Sequence, residues 1–337
     1  MSKRICLVTD TWKSQVNGVV TTLTHLHQQL IDRGYTVTVI SPNRYKCYKF
    51  PLYKEVNMPW NLFEVYKEVG LAIQLSDYVH IATEGPIGLM ARLYCHRHNI
   101  KYITSYHTRF PEYAHARWKS IPLKWGYAVM RWMHNRASSV LVTTESMKEE
   151  LDAWGIENMI VWNRGVDTNL FRPLTHIQRN PNVKVLGYVG RVSVEKNLEA
   201  FLDLPDELGV KVVVGDGPDL KRLKKRYKNV LWLGYKFGDE LVEAYNSLDV
   251  MVFPSKTDTF GLVNLESMAC GTPVAAYPVT GPKDIIEEGV TGAMDEDLEE
   301  AVKRALTIDS STCMLTTRNN HSWNNALRPY VDALIEK

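Results

Sequence analysis

Two open α/β domains, each a parallel sheet covered by helices on both faces, are what this sequence predicts. Three observations lead there. Short apolar or β-branched runs alternate with segments whose apolar residues recur every three to four positions, the beat of βαβ units. A chain of 337 residues has room for two domains of about 100–200 residues each. The beat stops once, near 166–182, where Phe171-Arg172-Pro173 and Arg179-Asn180-Pro181-Asn182 are polar and carry prolines, as a linker would. Charge divides there too. Residues 1–170 hold 20 basic and 14 acidic side chains and residues 171–337 hold 20 and 24, so the halves differ in sign and in expected partners.

The elements follow in order. Ile5–Val8 reads as a buried strand, Gly18–Arg33 as a helix with Val20, Leu23, Leu26 and Leu30 on one face, and Thr36–Ile40 as a β-branched strand. The alternation continues through helix 62–75, strand 78–82, helix 87–98, strand 102–104, helix 123–136, strand 140–143 and helix 147–154. It restarts with strand 183–189, helix 198–204, strand 210–214, helix 219–227, strand 230–233, helix 239–248, strand 250–253, helix 263–269 and strand 273–276. In such sheets ligands bind beyond the carboxyl ends of the strands, so chemistry is expected in the loops there.

Several classes fall away. No apolar run approaches the ~18–20 residues that span a bilayer, and Ile5–Val8 is too short for a signal peptide core. Cys6, Cys47, Cys95, Cys270 and Cys313 are odd in number and form no C-x-x-C, which argues against a disulfide framework or a cysteine zinc site and for a cytoplasmic chain. The histidines show no H-E-x-x-H spacing. Asp295-Glu296-Asp297 has the look of an Asp-x-Asp metal motif but opens a predicted helix at Leu298, where acids favour the dipole; no metal is expected.

The densest chemistry lies between Phe253 and Val274. A strand ends at Phe253, and a loop with Asp258, Phe260 and Gly261 opens a helix whose first turns carry Leu262, Val263 and Glu266. Amides at a helix N-terminus after a glycine suit an anion, and two carboxylates eight residues apart can hold different parts of one polar ligand. Elsewhere, Arg191 and Lys196 are two cations five apart in a strand-to-helix loop. Gly215-Asp216-Gly217-Pro218 follows the next strand and is explained equally by a tight turn. Tyr235 ends a third strand. In the first half, Asn17 and Gly18 precede a helix, while Tyr106, His107 and Arg109 follow a strand. Thr144 reads equally well as an N-cap or as a residue of the site.

The stretch Phe253–Val274 resembles the signature of glycosyltransferase family four, an acid, seven residues, a Glu, a small-residue helix and a Gly-x-Pro-Val strand. Asp258 replaces the commoner first Glu, as in the glycolipid-forming glycosyl, mannosyl and sulfoquinovosyl transferases of that family. Val189-Gly190-Arg191 with Glu195-Lys196-Asn197, Gly215–Pro218, Arg164-Gly165-Val166-Asp167 and Val16–Val20 are similar to further family motifs.

The resemblance implies the GT-B architecture of two Rossmann-like domains facing each other across a cleft. The first (1–165) would bind acceptor and the second (183–318) the nucleotide sugar, with 166–182 between them and a C-terminal helix in 319–337 packing back on the first. It implies a metal-independent, retaining hexosyltransferase with no cofactor beyond its nucleotide diphosphate sugar, UDP before GDP. In that scheme His107, Asp258, Arg191 and Lys196 are catalytic. Gly18, Gly215, Tyr235, Phe260, Gly261, Leu262, Val263 and Glu266 join three of them on the donor, and Asn17, Gly18, Tyr106, His107, Arg109 and Trp118 meet the acceptor.

For the acceptor, residues 109–136 place Arg109, Arg117, Lys119, Lys124, Arg131 and Arg136 among Phe110, Tyr113, Trp118, Trp125, Tyr127 and Trp132, with Glu112 the one acid. Arg44–Phe50 repeats the theme. Cations interleaved with aromatics suit an anionic membrane surface and also a nucleic acid; Trp125, Val129, Trp132 and Met133 at helical spacing suit a core equally. The expected protein is peripheral on the inner face of a membrane and glycosylates a lipid, diacylglycerol first. The alternatives are a soluble saccharide or modified base as acceptor, or a silent sugar-nucleotide-binding module.

Overall fold

The computed structural model describes residues 2–12, 18–50, 53–117, 120–177 and 179–335. The chain forms two compact units. One runs to Asn163 and takes back the chain from Leu327 onward; the other is Arg164–Ala326.

The first unit holds β1 (Arg4–Val8), β2 (Thr36–Ile40), β3 (Cys47–Phe50), β4 (Tyr53–Pro59), β5 (Tyr78–Ile81), β6 (Ile103–Ser105), β7 (Ser139–Val142) and β8 (Met159–Val161). Six of them make a parallel sheet in the order β2-β1-β5-β6-β7-β8, with Cys6 opposite Thr38 on one side and Val79 on the other. Ile5, Cys6, Leu7 and Val8 are fully buried, which is why an all-apolar run rather than an alternating one encodes a central parallel strand. Helix Gly18–Asp32 buries Val20, Leu23, Leu26 and Leu30 at 3–4 spacing, as its sequence predicts. Helix Leu62–Gln74 starts at Asn61, whose side chain accepts from the Phe63 and Glu64 amides. Helix Pro86–His98 has proline at its first position and ends on Asn99 at φ 53°.

The second unit holds β9 (Val185–Val189), β10 (Val210–Val214), β11 (Val230–Gly234), β12 (Val250–Phe253), β13 (Val274–Ala276) and β14 (Gly292–Met294) in the order β11-β10-β9-β12-β13-β14, all parallel. The strand order reverses between β9 and β12. Loops leaving those neighbours therefore run to opposite faces and open a crevice at the sheet's carboxyl edge.

The segment 166–182 is no free linker. Val166 donates its amide to the His321 carbonyl (2.9 Å), Phe171 meets Tyr245 edge-on at 6.0 Å, and Asn246 Oδ1 accepts from the Leu174 amide (2.8 Å). Arg179 binds the Asn246 carbonyl and Thr272 Oγ1 (both 2.9 Å). The buried Phe171 anchors the segment to the second unit. Helix Trp323–Ile335 begins in the second unit and ends in the first. There Tyr330, fully buried, bonds His80 Nδ1 at 3.2 Å and packs on Trp162 at 5.1 Å. Burial holds His80 neutral, with its pKa lowered to about 3, and Nε2 pairs with Ser105 Oγ at 2.7 Å.

Candidate active site

At the reversal in the second sheet, the loops after β9 and β12 are joined. Asn197 Nδ2 donates to the Pro254 carbonyl (3.1 Å) and Thr257 Oγ1 to the Glu195 carbonyl (3.2 Å). The side chains of Lys196 and Asp258 form an ion pair across this seam, both largely buried. Asn197 sits at φ 52°, turning the chain straight from the one-turn helix Val194–Lys196 into helix Leu198–Leu202. Asp258 Oδ2 is buried and takes no hydrogen bond from a described residue, so it is an acceptor awaiting a donor group. A desolvated acceptor left this way costs about 1–3 kcal/mol, the kind of debt that a ligand hydroxyl cancels.

Arg191, half-buried, heads the β9 loop, and its carbonyl accepts from the phenol of buried Tyr188 at 2.7 Å. The glycines around it answer a packing need. The Gly190 amide bonds the Val214 carbonyl (2.9 Å), the Val192 amide the Asp216 carbonyl (3.0 Å) and the Gly215 amide the Gly234 carbonyl (2.8 Å). A Cβ on Gly215, at φ 137°, would stand 1.9 Å from the Gly190 oxygen, and one on Gly217 would stand 2.2 Å from the Val192 oxygen. Three strand-end loops are thus laced together, with Arg191 held on top. Tyr235 is half-exposed, stacks on Phe237 (5.9 Å between ring centres) and reaches the Asp216 carbonyl at 3.3 Å. It offers a flat face suited to a base.

Gly261, at φ 82°, starts helix Leu262–Ala269, and no side chain caps it. The amides of Gly261, Leu262 and Val263 are the uncapped positive end of this helix. Glu266 lies one turn further on. Desolvation lifts its pKa to about 7, opposed by the Tyr245 phenol, which donates to Oε2 at 2.7 Å.

In the first unit, helix Gly18–Asp32 starts at Gly18, whose carbonyl accepts from Thr22 Oγ1 (2.8 Å). His107 follows β6, nearly buried, with its ring 6.3 Å from that of Trp162. Asn17 and Trp118 lie outside the described residues. Thr144 Oγ1 accepts from the Met147 amide (3.1 Å) and Asp297 from the Glu299 amide (3.0 Å), so both are N-caps. Asp295 is tied to Arg304 at 3.1 Å.

Two expectations are corrected. Tyr106 is fully buried beside His134, and desolvation raises its pKa, so its side chain belongs to the core rather than to an acceptor site. Phe260 is likewise core, leaving only its backbone to meet a donor. Arg109 donates to Glu150 at 2.6 Å, a pairing with a carboxylate like that of Lys196 with Asp258. The α-helical face read as core or surface resolves by residue: Trp125, Val129 and Trp132 are exposed and Met133 is buried.

Two residues carry weight that the sequence did not show. Tyr245 reads as a helix core position, since its partner Glu266 lies 21 residues away. Asp10, at the end of β1, accepts from the Ile87 and Gly88 amides (2.7 and 3.2 Å) and from Thr83 Oγ1 (2.8 Å), while burial raises its pKa to about 6. It caps helix Pro86–His98, and Gly85 and Gly88 leave the room: a Cβ on Gly85 would lie 2.4 Å from the Asp10 carboxyl carbon.

Known proteins share this construction. The chain matches Glycosyltransferase Family 4 over residues 16–170 and Glycosyl transferases group 1 over residues 175–318. It is 31% identical over 311 residues to a sulfoquinovosyl transferase of Arabidopsis thaliana, covering 86% of this chain and 59% of that one. A GDP-mannose-dependent alpha-mannosyltransferase of Mycobacterium tuberculosis is 28% identical (86% and 83% covered), and an alpha-monoglucosyldiacylglycerol synthase of Streptococcus pneumoniae 29% (90% and 78%). An Anabaena protein solved with UDP and glucose has the same fold, with a TM-score of 0.72 at 17% identity over 98% of both chains. With both halves matched and two parallel-sheet α/β units in place, the chain belongs to glycosyltransferase family 4 and has the GT-B fold.

Proposed function

We propose that the chain transfers a hexosyl or hexuronosyl unit, with retention of configuration, from a UDP-sugar to the hydroxyl of a lipid such as diacylglycerol at an anionic membrane surface. The observation that carries the chemistry is the pairing of Lys196 with Asp258 beside the uncapped helix at Gly261. As the anomeric C–O bond breaks, charge builds on the diphosphate; Arg191, Lys196 and the amides from Gly261 to Val263 are fixed positive groups to receive it. Lys196 exchanges part of its bond to Asp258 for phosphate, and Asp258 then accepts from a sugar hydroxyl. Glu266 accepts from the ribose and His107 holds the sugar. The new C–O bond forms on the face the leaving group vacates, and the acceptor proton passes to the leaving phosphate oxygen.

No divalent ion enters this scheme, because Asp297 is spent as a cap and Asp295 on Arg304. Turnover therefore persists in excess EDTA. Abolition by EDTA, restored by manganese or magnesium, contradicts the assignment of the positive charge to Arg191 and Lys196.

The lipid acceptor rests on helix Leu123–His134, where Trp125 and Trp132 are 65% and 51% exposed beside exposed Val129, Lys124 and Arg136. Indoles with flanking cations seat at an anionic interface. The relative named for glycolipid synthesis, the alpha-monoglucosyldiacylglycerol synthase, supports the same reading. No helix among the described residues is long and apolar enough to cross a membrane. The paired change Trp125→Ser and Trp132→Ser lowers partitioning onto phosphatidylglycerol vesicles at least about tenfold, each indole contributing on the order of 1 kcal/mol. Equal sedimentation of wild type and variant with vesicles overturns the lipid surface. The mannosyltransferase relative favours GDP-mannose as a second donor, which competition between UDP and GDP resolves.

A further inference from the structure

We infer that Tyr245 is the positioning residue of the donor site, fixing the Glu266 carboxylate so that its second oxygen faces the ribose. This rests on the reading of Glu266 as the ribose contact. The geometry is specific. Tyr245 is fully buried on helix Gly238–Ser247, its ring set edge-on against Phe171 and its backbone carbonyl bonded by Thr272 Oγ1 at 2.8 Å. The phenol therefore has little freedom. It donates to Oε2 of Glu266 at 2.7 Å, the short distance of a charge-assisted bond. Oε1 takes no hydrogen bond from a described residue, and with Oε2 held by Tyr245 on a half-buried side chain it is the oxygen left to a ligand.

The same bond governs charge. Glu266 lies where desolvation favours its neutral form, and a neutral carboxyl is a weaker acceptor for ribose hydroxyls than a carboxylate. The titratable groups facing it are Tyr245 from the neighbouring helix and the Cys270 thiol at the end of its own, itself held neutral by burial with its pKa pushed up to about 12. Tyr245 alone of these favours the ionised carboxylate, by donating to it. It thus sets the pH above which the site takes a nucleotide well. Affinity for UDP or GDP rises through pH 7 as Glu266 ionises.

The test is titration calorimetry of the full chain with UDP and with GDP from pH 5.5 to 9, using wild type, Tyr245→Phe, Glu266→Gln and the double variant. Tyr245→Phe keeps the ring against Phe171, and thermal melting checks the fold. Its affinity midpoint moves upward by about one pH unit, so that binding at pH 7 weakens about 5- to 10-fold while binding at pH 9 changes much less. Glu266→Gln binds weakly with no pH dependence near neutrality, and Tyr245→Phe adds nothing in that background. Installing 3-fluorotyrosine at position 245, a stronger donor in the same shape, moves the midpoint down.

A Tyr245→Phe profile superimposable on wild type, with Glu266→Gln still weak, overturns the positioning role and leaves the ribose contact standing. An unchanged Glu266→Gln overturns the ribose contact, and the role of Tyr245 with it. Failure of wild type to bind either nucleotide does the same.

Discussion

Lys196→Ala lowers kcat by about 10²–10³-fold, the range found when one preorganised charge-stabilising group is removed from a developing anion. Arg191→Ala falls in the same range. The Lys196 variant carries a second effect that the ion pair dictates: Asp258 is left largely buried and uncompensated, which costs about 1–3 kcal/mol of stability. The double variant Lys196→Ala with Asp258→Asn separates the two. It regains most of the lost melting temperature and none of the lost turnover. More than half of wild-type activity in either single variant would remove the phosphate role from that residue.

Gly215→Ala is expected to destabilise the second unit by about 2–4 kcal/mol, combining a strained left-handed backbone with overpacking. Its Cβ would stand 1.9 Å from the Gly190 oxygen, backbone against backbone, so no side-chain rotation relieves the clash. The β9 and β10 loops must part, and Arg191 moves with the former. Nucleotide affinity therefore falls along with stability. By contrast, Gly234→Ala meets nothing within 4 Å and carries only the cost of its φ of 70°. Chemical denaturation of the two variants checks the difference; equal stabilities would show that the lacing of the loops contributes little.

The central strands were legible because a strand buried on both faces is a continuous apolar run, as in Ile5–Val8 and Val250–Phe253. Edge strands β8 and β14 have three residues each, too few to show a period. The hairpin β3–β4 was missed because its cations and prolines read as surface loop. In the site, Asp258, Gly261 and Glu266 were legible because one strand, loop and helix carry them in sequence. Tyr106 and Phe260 were misassigned because standing next to a site residue does not fix the side to which a ring turns. Tyr245 stayed hidden for the opposite reason: only the packing of two helices brings its hydroxyl to Glu266. A glycine's reason is equally invisible until its neighbour is known, as Gly215 and Gly190 show.

The proposed reaction is transfer of sugar from a nucleoside diphosphate to a lipid hydroxyl by these residues. Its most direct test incubates the purified chain with UDP- and GDP-sugars of α configuration and phosphatidylglycerol vesicles containing diacylglycerol, then measures nucleotide release and examines the lipid by mass spectrometry and NMR. The expected result is one nucleoside diphosphate released per sugar gained by the lipid, an α linkage in the product, and loss of both with Lys196→Ala. Nucleotide release with the lipid unmodified and the sugar found on a soluble acceptor, or a β-linked product, would contradict it.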